Sequence, residues 1–167
     1  WENPLRLAED LATVDVLSGG RLEPGFSVGP PRRLDEVAPA LYPDTADRED
    51  FGYERLVRLR RFLAGEQASP FAGSEGIEEY SERVEPHAAG LADRLWYGAG
   101  SPASTIWAAE NGFHLLTSSV IRSTASTDFD REQHAQIRLY RETHPDGERA
   151  RVSQGLVVVP TDSATPD

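Results

Sequence analysis

The sequence predicts a parallel α/β fold, and three observations support this fold class. Residues 95–120 read as an apolar strand, a helix that begins at a Ser-Pro pair, and a second apolar strand. Helical and strand-like segments alternate along much of the remaining chain. Residues 155–159 form an apolar run dominated by valine, which is typical of a parallel strand covered on both faces. Because parallel strands need crossover helices, this alternation favours an α/β architecture.

The central strand-helix-strand unit has well-marked helix boundaries. Ser101 is a favoured N-cap residue, and Pro102 fits the first helical position, where its missing N–H has no helical partner to lose. Gly112 supplies the positive φ that ends the helix. Gly98 and Gly100 remove side-chain bulk at the end of the first strand, where the free N–H groups of the helix point outward. The unit therefore predicts a place that attracts anions, phosphate above all.

The composition excludes several classes of function. With 38% apolar and 27% charged residues, the chain has the profile of a soluble globular protein, and no apolar run approaches the ~20 residues that span a bilayer. The net charge of −11 opposes binding to DNA, RNA or anionic lipid, so we expect no nucleic acid and no membrane as partner. The absence of cysteine excludes thiolate chemistry and fits a cytoplasmic location.

Metal and serine-nucleophile catalysis find no support in the sequence. The four histidines show no ligand spacing, and there is no HExxH motif. The motif Gly-x-Ser-x-Gly is also absent. We predict a structural imidazole for His114, because it sits within an apolar strand.

The N-terminal segment predicts a helix followed by a tight turn. Asn3 is placed to cap the helix, and Gly19-Gly20 to end it. Asp15 and Arg21 could pair across the turn, either as an exposed pair contributing at most ~1 kcal/mol or as a buried pair that fixes the approach to the next strand. The residues expected on the packing side of the helix are Leu7, Ala8, Leu11, Ala12 and Val14.

The region between the turn and residue 95 predicts fewer regular elements. Residues 22–28 are a strand candidate that bends at Pro24, and residues 34–50 are expected to be a long loop with at most one helical turn. Residues 51–64 predict a helix, and residues 66–94 an insertion with a hairpin near 84–87. In the helix at 51–64, we expect Leu56, Leu59 and Leu63 on the packing side and Arg55, Arg58, Arg60 and Arg61 mostly outside.

Residues 128–143 predict the last helix of the chain. Asp128 is the expected cap, and the helix ends before His144. The residues that share one of its faces are Phe129, Gln133, Ile137 and Tyr140.

Three stretches of the chain resemble the bacterial luciferase-like family of flavin-dependent monooxygenases. Residues 3–22 read NPLRLAEDLATVDVLSGGRL and are similar to that family's third helix and the turn into its fourth strand. Residues 100–112, GSPASTIWAAENG, resemble its fifth crossover, and residues 159–166, VPTDSATP, resemble the end of its seventh strand. The resemblance implies a partial TIM (β/α)8 barrel with parallel strands, covering about strands four to seven.

The resemblance also implies a flavin site. Luciferase-like enzymes place the FMN phosphate on positions that match Ser101 and Ser104, with the N–H groups around Gly100. A plain capping bond between the two serines, worth ~1 kcal/mol, is the alternative for these residues. The residues expected around the isoalloxazine ring are Ser27, Val28, Gly98 and Ala99, with Ser119 close to its edge.

The chain departs from the family pattern in two respects. Val28 stands where some luciferase-like proteins carry an Arg that helps neutralise the phosphate. The residues of strands one to three, including the His associated with reaction at the flavin, have no counterpart, so the catalytic residues stay unassigned. A complete barrel takes roughly 250 residues, against 167 here. We therefore expect an internal fragment, inactive alone, whose exposed apolar edges favour a homo-oligomer.

Three functions stay open at this point. The first is an FMN-dependent monooxygenase, acting in the full-length parent on a small organic substrate and O2, with a flavin reductase as possible partner. The second is a reductase of the same fold that uses F420. The third is a half barrel that binds flavin or serves a structural role without catalysis.

Overall fold

A computed structural model describes residues 2–29, 33–117, 128–156, 158 and 160. The chain divides into two compact units, residues 1–95 and residues 96–167. Among the described residues, no helix has the length and apolar character that a membrane span requires. The single incomplete barrel domain with an insertion at 66–94 stays a prediction.

The first unit is built around two packed helices. Helix α1 spans Pro4–Ser18 and packs against helix α3, Glu54–Leu63. Along the chain, three short elements separate these two helices: strand β1, Gly25–Phe26; helix α2, Leu34–Leu41; and a 3₁₀ turn at Ala46–Arg48. Strands β2, Gly73–Glu75, and β3, Glu78–Tyr80, pair antiparallel as a hairpin, and a further 3₁₀ turn spans Leu91–Asp93.

Helix α1 begins and ends as predicted. The Asn3 side chain accepts a hydrogen bond from the Leu5 N–H at 2.9 Å, and Gly19 ends the helix with φ of 69°. Ala8 and Ala12 are buried as expected, but Val14 is 48% exposed, so its placement on the packing side was wrong. The buried side runs instead through Asp15, because a charged partner from elsewhere in the unit covers it.

Two predictions between α1 and α3 were wrong. Residues 34–50 are not a long loop, since α2 fills half of this segment with Pro39 inside the helix. Asp35 and Glu36 lie in its first turn, where negative side chains stabilise the helix by interacting with its dipole. The strand expected over 22–28 is reduced to the two residues of β1, after the buried Pro24.

The predicted helix over 51–64 is confirmed as α3, with one exception in its arginines. Leu56, Leu59 and Leu63 are buried as expected. Arg55 was predicted outside, yet it is only 8% exposed. The hairpin expected near 84–87 was also misplaced, because the turn forms at Gly76, where φ is 65°.

The second unit contains the predicted strand-helix-strand arrangement. Strand β4, Trp96–Ala99, leads into helix α4, Pro102–Glu110, and then strand β5, His114–Thr117. Helix α5 spans Phe129–Thr143, followed by a 3₁₀ turn at Gly147–Arg149 and strand β6, Val152–Ser153. Strand β5 pairs parallel with β4 and with β6, and α4 and α5 pack on the strands and on each other. A parallel α/β architecture is thus confirmed here.

The core of the second unit is aromatic at its centre. The Tyr97 and Trp107 rings lie 5.1 Å apart, and Trp107 lies 5.2 Å from Phe113. The Tyr140 hydroxyl donates to the Phe113 carbonyl at 2.7 Å, and burial raises the pKa of this phenol. His114 packs its ring 4.9 Å from the Trp96 ring, on the strand where a structural imidazole was predicted.

The last strand among the described residues lies earlier in the chain than predicted. Strand β6 ends at Ser153, and neither Gly155, Leu156 nor Val158 belongs to a strand. Leu156 is 65% exposed and Val158 is 81% exposed, so the expectation of a strand covered on both faces was wrong for these residues. Valine enrichment was the misleading signal, because it reports β propensity and not the pairing partner. Residues 157 and 159 lie outside the described residues.

Candidate functional site

The candidate site is the turn between β4 and α4, in the second unit. Strand β4 ends at the fully buried Ala99, and helix α4 begins at Pro102. Gly98 is partly buried, while Gly100 and Ser101 are exposed. A Cβ placed on Gly100 would meet no atom within 4 Å, so there is open space in front of the turn.

Ser101 and Ser104 form a reciprocal cap at the start of α4. The Ser104 N–H donates to the Ser101 Oγ at 3.2 Å, and the Ser101 N–H donates to the Ser104 Oγ at 3.0 Å. The capping bond that the sequence offered as an alternative is therefore present. It satisfies two of the amide donors that would otherwise be available to an anion.

The cap still leaves two donors at the helix start. A hydroxyl has one hydrogen and two lone pairs. Ser104 donates its hydroxyl hydrogen to the Ser101 carbonyl at 2.9 Å. The Ser101 hydroxyl lies 3.0 Å from the Ser104 Oγ and can donate either to that oxygen or outward to a ligand. The Ala103 N–H makes no hydrogen bond with the described residues. These two neutral donors lie at the positive end of a nine-residue helix, which favours an anion.

Ser27 and Val28 belong to the first unit, at the carboxyl end of β1. They line a cavity of about 260 Å³ together with Gly29 and the buried Arg55. Most of its remaining wall is apolar and consists of Pro4, Leu7, Phe26, Phe51, Leu56 and Leu59. An apolar cavity with few polar groups is the usual form of a small-molecule pocket.

Ser119, the last of the predicted cofactor neighbours, lies outside the described residues. The structure therefore brings together Gly98, Ala99, Gly100, Ser101 and Ser104 in one turn. Ser27 and Val28 share the cavity of the first unit.

Sequence reasoning missed a buried glutamine beside the β4–α4 turn. Gln136 on α5 donates from Nε2 to the Ala99 carbonyl at 2.8 Å and to the Thr105 Oγ1 at 3.0 Å. Thr105 in turn donates to the Ser101 carbonyl at 2.9 Å. The polar residues spaced three apart on α5, of which only Gln133 was placed on the inner face, were the signal that could have revealed it.

The first unit holds a second feature that was predicted with the wrong partner. Asp15 pairs with Arg94 at 2.7 Å and not with Arg21. Arg94 also donates to the Gly20 carbonyl at 2.6 Å and to the Leu22 carbonyl at 2.8 Å, so it holds the turn after α1. The hydrogen bond from Arg94 lowers the pKa of the Asp15 carboxyl, against the effect of burial. Among the described residues, Arg21 bonds to Ser18, with its side chain donating to the Ser18 carbonyl at 2.7 Å and its N–H donating to the Ser18 Oγ at 3.3 Å.

Arg55 organises the other end of the same unit. Its guanidinium donates to the Glu2 carbonyl at 2.6 Å and pairs with Glu49 at 2.7 Å. It also lies 4.5 Å from the centre of the Phe51 ring and 5.3 Å from that of Tyr42. These contacts make it a structural wall of the cavity.

The comparisons with known proteins agree with this geometry. The parallel strands and their crossover helix define an α/β fold of the partial TIM-barrel class. The family model described as luciferase-like monooxygenase matches residues 1–165, and the chain belongs to this family. No curated protein gives a significant match.

Among solved structures, the chain is similar to the crystal structure of apo-MsnO8. The TM-score is 0.54 and the sequence identity is 24%. The match covers 92% of this chain and 40% of that chain, so our sequence spans less than half of the length of MsnO8. At this identity the similarity supports the fold, and the predicted fold class is confirmed.

Proposed function

We propose that the full-length protein is an FMN-dependent monooxygenase that oxidises a small organic substrate with O2. The family match over residues 1–165 carries this proposal, since luciferase-like monooxygenases are flavin-type oxidoreductases. The start of α4 adds local support, because its two outward donors suit the phosphate of FMN. Bound reduced flavin would supply the electrons for oxygen chemistry, while the protein binds and orients it.

The phosphate would rest on neutral donors in this proposal. Ser101 and Ala103 would donate to its oxygens, and Ser104 would hold the cap in place through its bonds to Ser101. Gly100 leaves the approach open, because a side chain there would project into the empty space. Val28 cannot supply the positive charge that some relatives place at its position, so we expect affinity to depend on the helix dipole.

The remaining parts of the site follow the same proposal. Ser27, Val28, Gly98 and Ala99 would neighbour the flavin ring, and Ser119 its edge. A cytoplasmic location, a flavin reductase as partner and the absence of nucleic-acid and membrane partners belong to it as well. Because the chain spans 40% of MsnO8, we expect activity from the full-length protein and none from these residues alone.

Titration of the full-length protein with FMN and with F420, followed by absorbance, tests the proposal. We expect FMN to bind at micromolar concentration or tighter, and reductase-driven oxygen uptake to depend on an organic substrate. Binding of F420 in place of FMN would support the reductase instead. Failure of both cofactors to bind would contradict the assignment and favour a structural role.

A further inference from the structure

Gln136 joins the end of a strand to the first turn of the helix that follows it. The residue is 9% exposed, and its Nε2 lies 2.8 Å from the Ala99 carbonyl and 3.0 Å from the Thr105 Oγ1. Ala99 is the last residue of β4, and Thr105 lies in the first turn of α4. One amide group therefore spans the glycine turn from the side of α5.

The orientation of this amide is fixed by its partners. The Ala99 carbonyl can only accept, and Thr105 already donates its hydroxyl hydrogen to the Ser101 carbonyl. The Gln136 NH2 must face both groups, because a flipped amide would set its oxygen against two acceptors. Within the part of the chain that the structure describes, the buried Oε1 then has no hydrogen-bond partner. A buried oxygen without a partner is unfavourable. We therefore attribute the presence of glutamine at this position to the two hydrogen bonds that its NH2 donates.

We infer that Gln136 is a positioning residue, which holds Ala99 and Thr105 so that the Ser101 and Ala103 donors face a phosphate group. The inference rests on the proposed flavin function. The chain of hydrogen bonds runs from Gln136 to Thr105, and from Thr105 to the carbonyl of Ser101, the residue that carries one of the two donors. Loss of the amide would let the turn relax without removing any group that touches the ligand.

Gln133 provides the matched control. It lies one turn earlier on α5 and is fully buried, but it donates to the Gly155 carbonyl at 2.7 Å. Its Oε1 accepts from the Gln154 Nε2 at 2.5 Å, so both of these bonds join Gln133 to the segment after β6. A change at Gln133 removes the same side chain from the same helix and leaves the contacts of Ala99 and Thr105 in place.

The test compares Gln136→Leu, Gln136→Glu and Gln133→Leu in the full-length protein, with FMN and riboflavin as ligands. Riboflavin carries the same ring system without the phosphate. We expect both Gln136 variants to weaken FMN about tenfold, the effect of one displaced charge-assisted hydrogen bond, and riboflavin by less than about twofold. Gln136→Glu keeps the shape and removes the NH2 donors, so it tests the inference even where Gln136→Leu fails to fold. The phosphorus NMR signal of bound FMN should shift in the Gln136 variants alone.

Two results would overturn the inference while leaving the flavin function intact. One is unchanged FMN affinity in the Gln136 variants, and the other is an equal loss for FMN and riboflavin. If the unmodified protein binds neither flavin, the proposed function has failed, and amide hydrogen exchange then decides the positioning role. Faster exchange at Ser104 and Thr105 in Gln136→Glu than in Gln133→Leu would support it, and equal exchange would overturn it.

Discussion

Asp15 shows how a buried charge can fix the turn beside it through a partner far away in sequence. Its side chain is 3% exposed, and its partner Arg94 lies 79 positions later. The Leu22 N–H donates to the same carboxylate at 3.1 Å. Removing one member of such a pair leaves the other buried without its partner, which is more unfavourable than losing an exposed pair.

We expect Asp15→Asn to lower the free energy of unfolding by about 3 kcal/mol. Asp10→Asn is the matched control on the same helix, because Asp10 pairs with Arg6 in the solvent and should change stability by less than about 1 kcal/mol. Urea titration at pH 7 measures both. Equal effects of the two changes would contradict a structural role for the buried pair.

The Asp15 carboxyl should also make the stability of the folded protein depend on pH. The pKa of Asp15 is lowered in the folded state, so its stabilisation is complete above about pH 4 and is lost as the pH falls through the lowered pKa. Below that pH, the Asp15 carboxylate of the folded protein must bind a proton, although the hydrogen bond from Arg94 favours its charged form. Between pH 6 and pH 3, the midpoint temperature of thermal unfolding should fall less steeply in Asp15→Asn than in the unmodified protein. Parallel plots of midpoint against pH would contradict this.

Arg55 offers a second test of a single side chain. We expect Arg55→Lys to destabilise the protein by about 2 kcal/mol, because an ammonium cannot reproduce the separate donations to Glu2, Tyr42 and Glu49 or the stacking on Phe51. Arg58→Lys on the same helix is exposed and should be nearly neutral. Denaturant midpoints of the two variants, if equal, would refute this account of Arg55.

Helix α4 joins a stabilising cap with a candidate phosphate site. We expect Ser101→Ala to lower the free energy of unfolding by about 1 kcal/mol through loss of the cap, and to weaken FMN binding as well. Asn3→Ala removes the side-chain cap of α1 at a similar cost. Calorimetric unfolding should report similar losses for both, while FMN titration should separate them. Equal FMN affinity in the two variants would exclude Ser101 from the site.

The elements that sequence predicted best are those with local signals at both ends. Helix α4 has Ser-Pro at its start and Gly112 with φ of 69° after its end, and α1 has Asn3 and Gly19 in the same roles. Helix α2 lacks a side-chain cap and contains Pro39, so its sequence reads as a loop. Its helical state depends on the surrounding unit, which local propensity does not report.

The candidate site was predicted in part, and the reason is physical. The glycines and serines of the β4–α4 turn lie within seven residues, so chain connectivity alone brings them together. Arg94 for Asp15 and Gln136 for Ala99 come from far along the chain. Such partners depend on tertiary packing, and Arg21 was the nearer but wrong choice for Asp15.

The homo-oligomer expected from the sequence can be tested directly. Helix α1 exposes Val16 at 51% and Leu17 at 81%, apolar surface that would be covered by another copy. We expect sedimentation at micromolar concentration to show a homo-oligomer. Leu17→Glu should shift it toward monomer, whereas Arg6→Glu on the polar side of α1 should not. A monomer in the unmodified protein would contradict this expectation.

A crystal structure of the full-length protein with FMN tests the central claim most directly. We predict that the phosphate lies at the start of α4, within hydrogen-bonding distance of the Ser101 Oγ and the Ala103 N–H, while the Ser104 cap stays intact. An FMN phosphate bound at any other place in the fold, with these two donors left to solvent, would contradict the account.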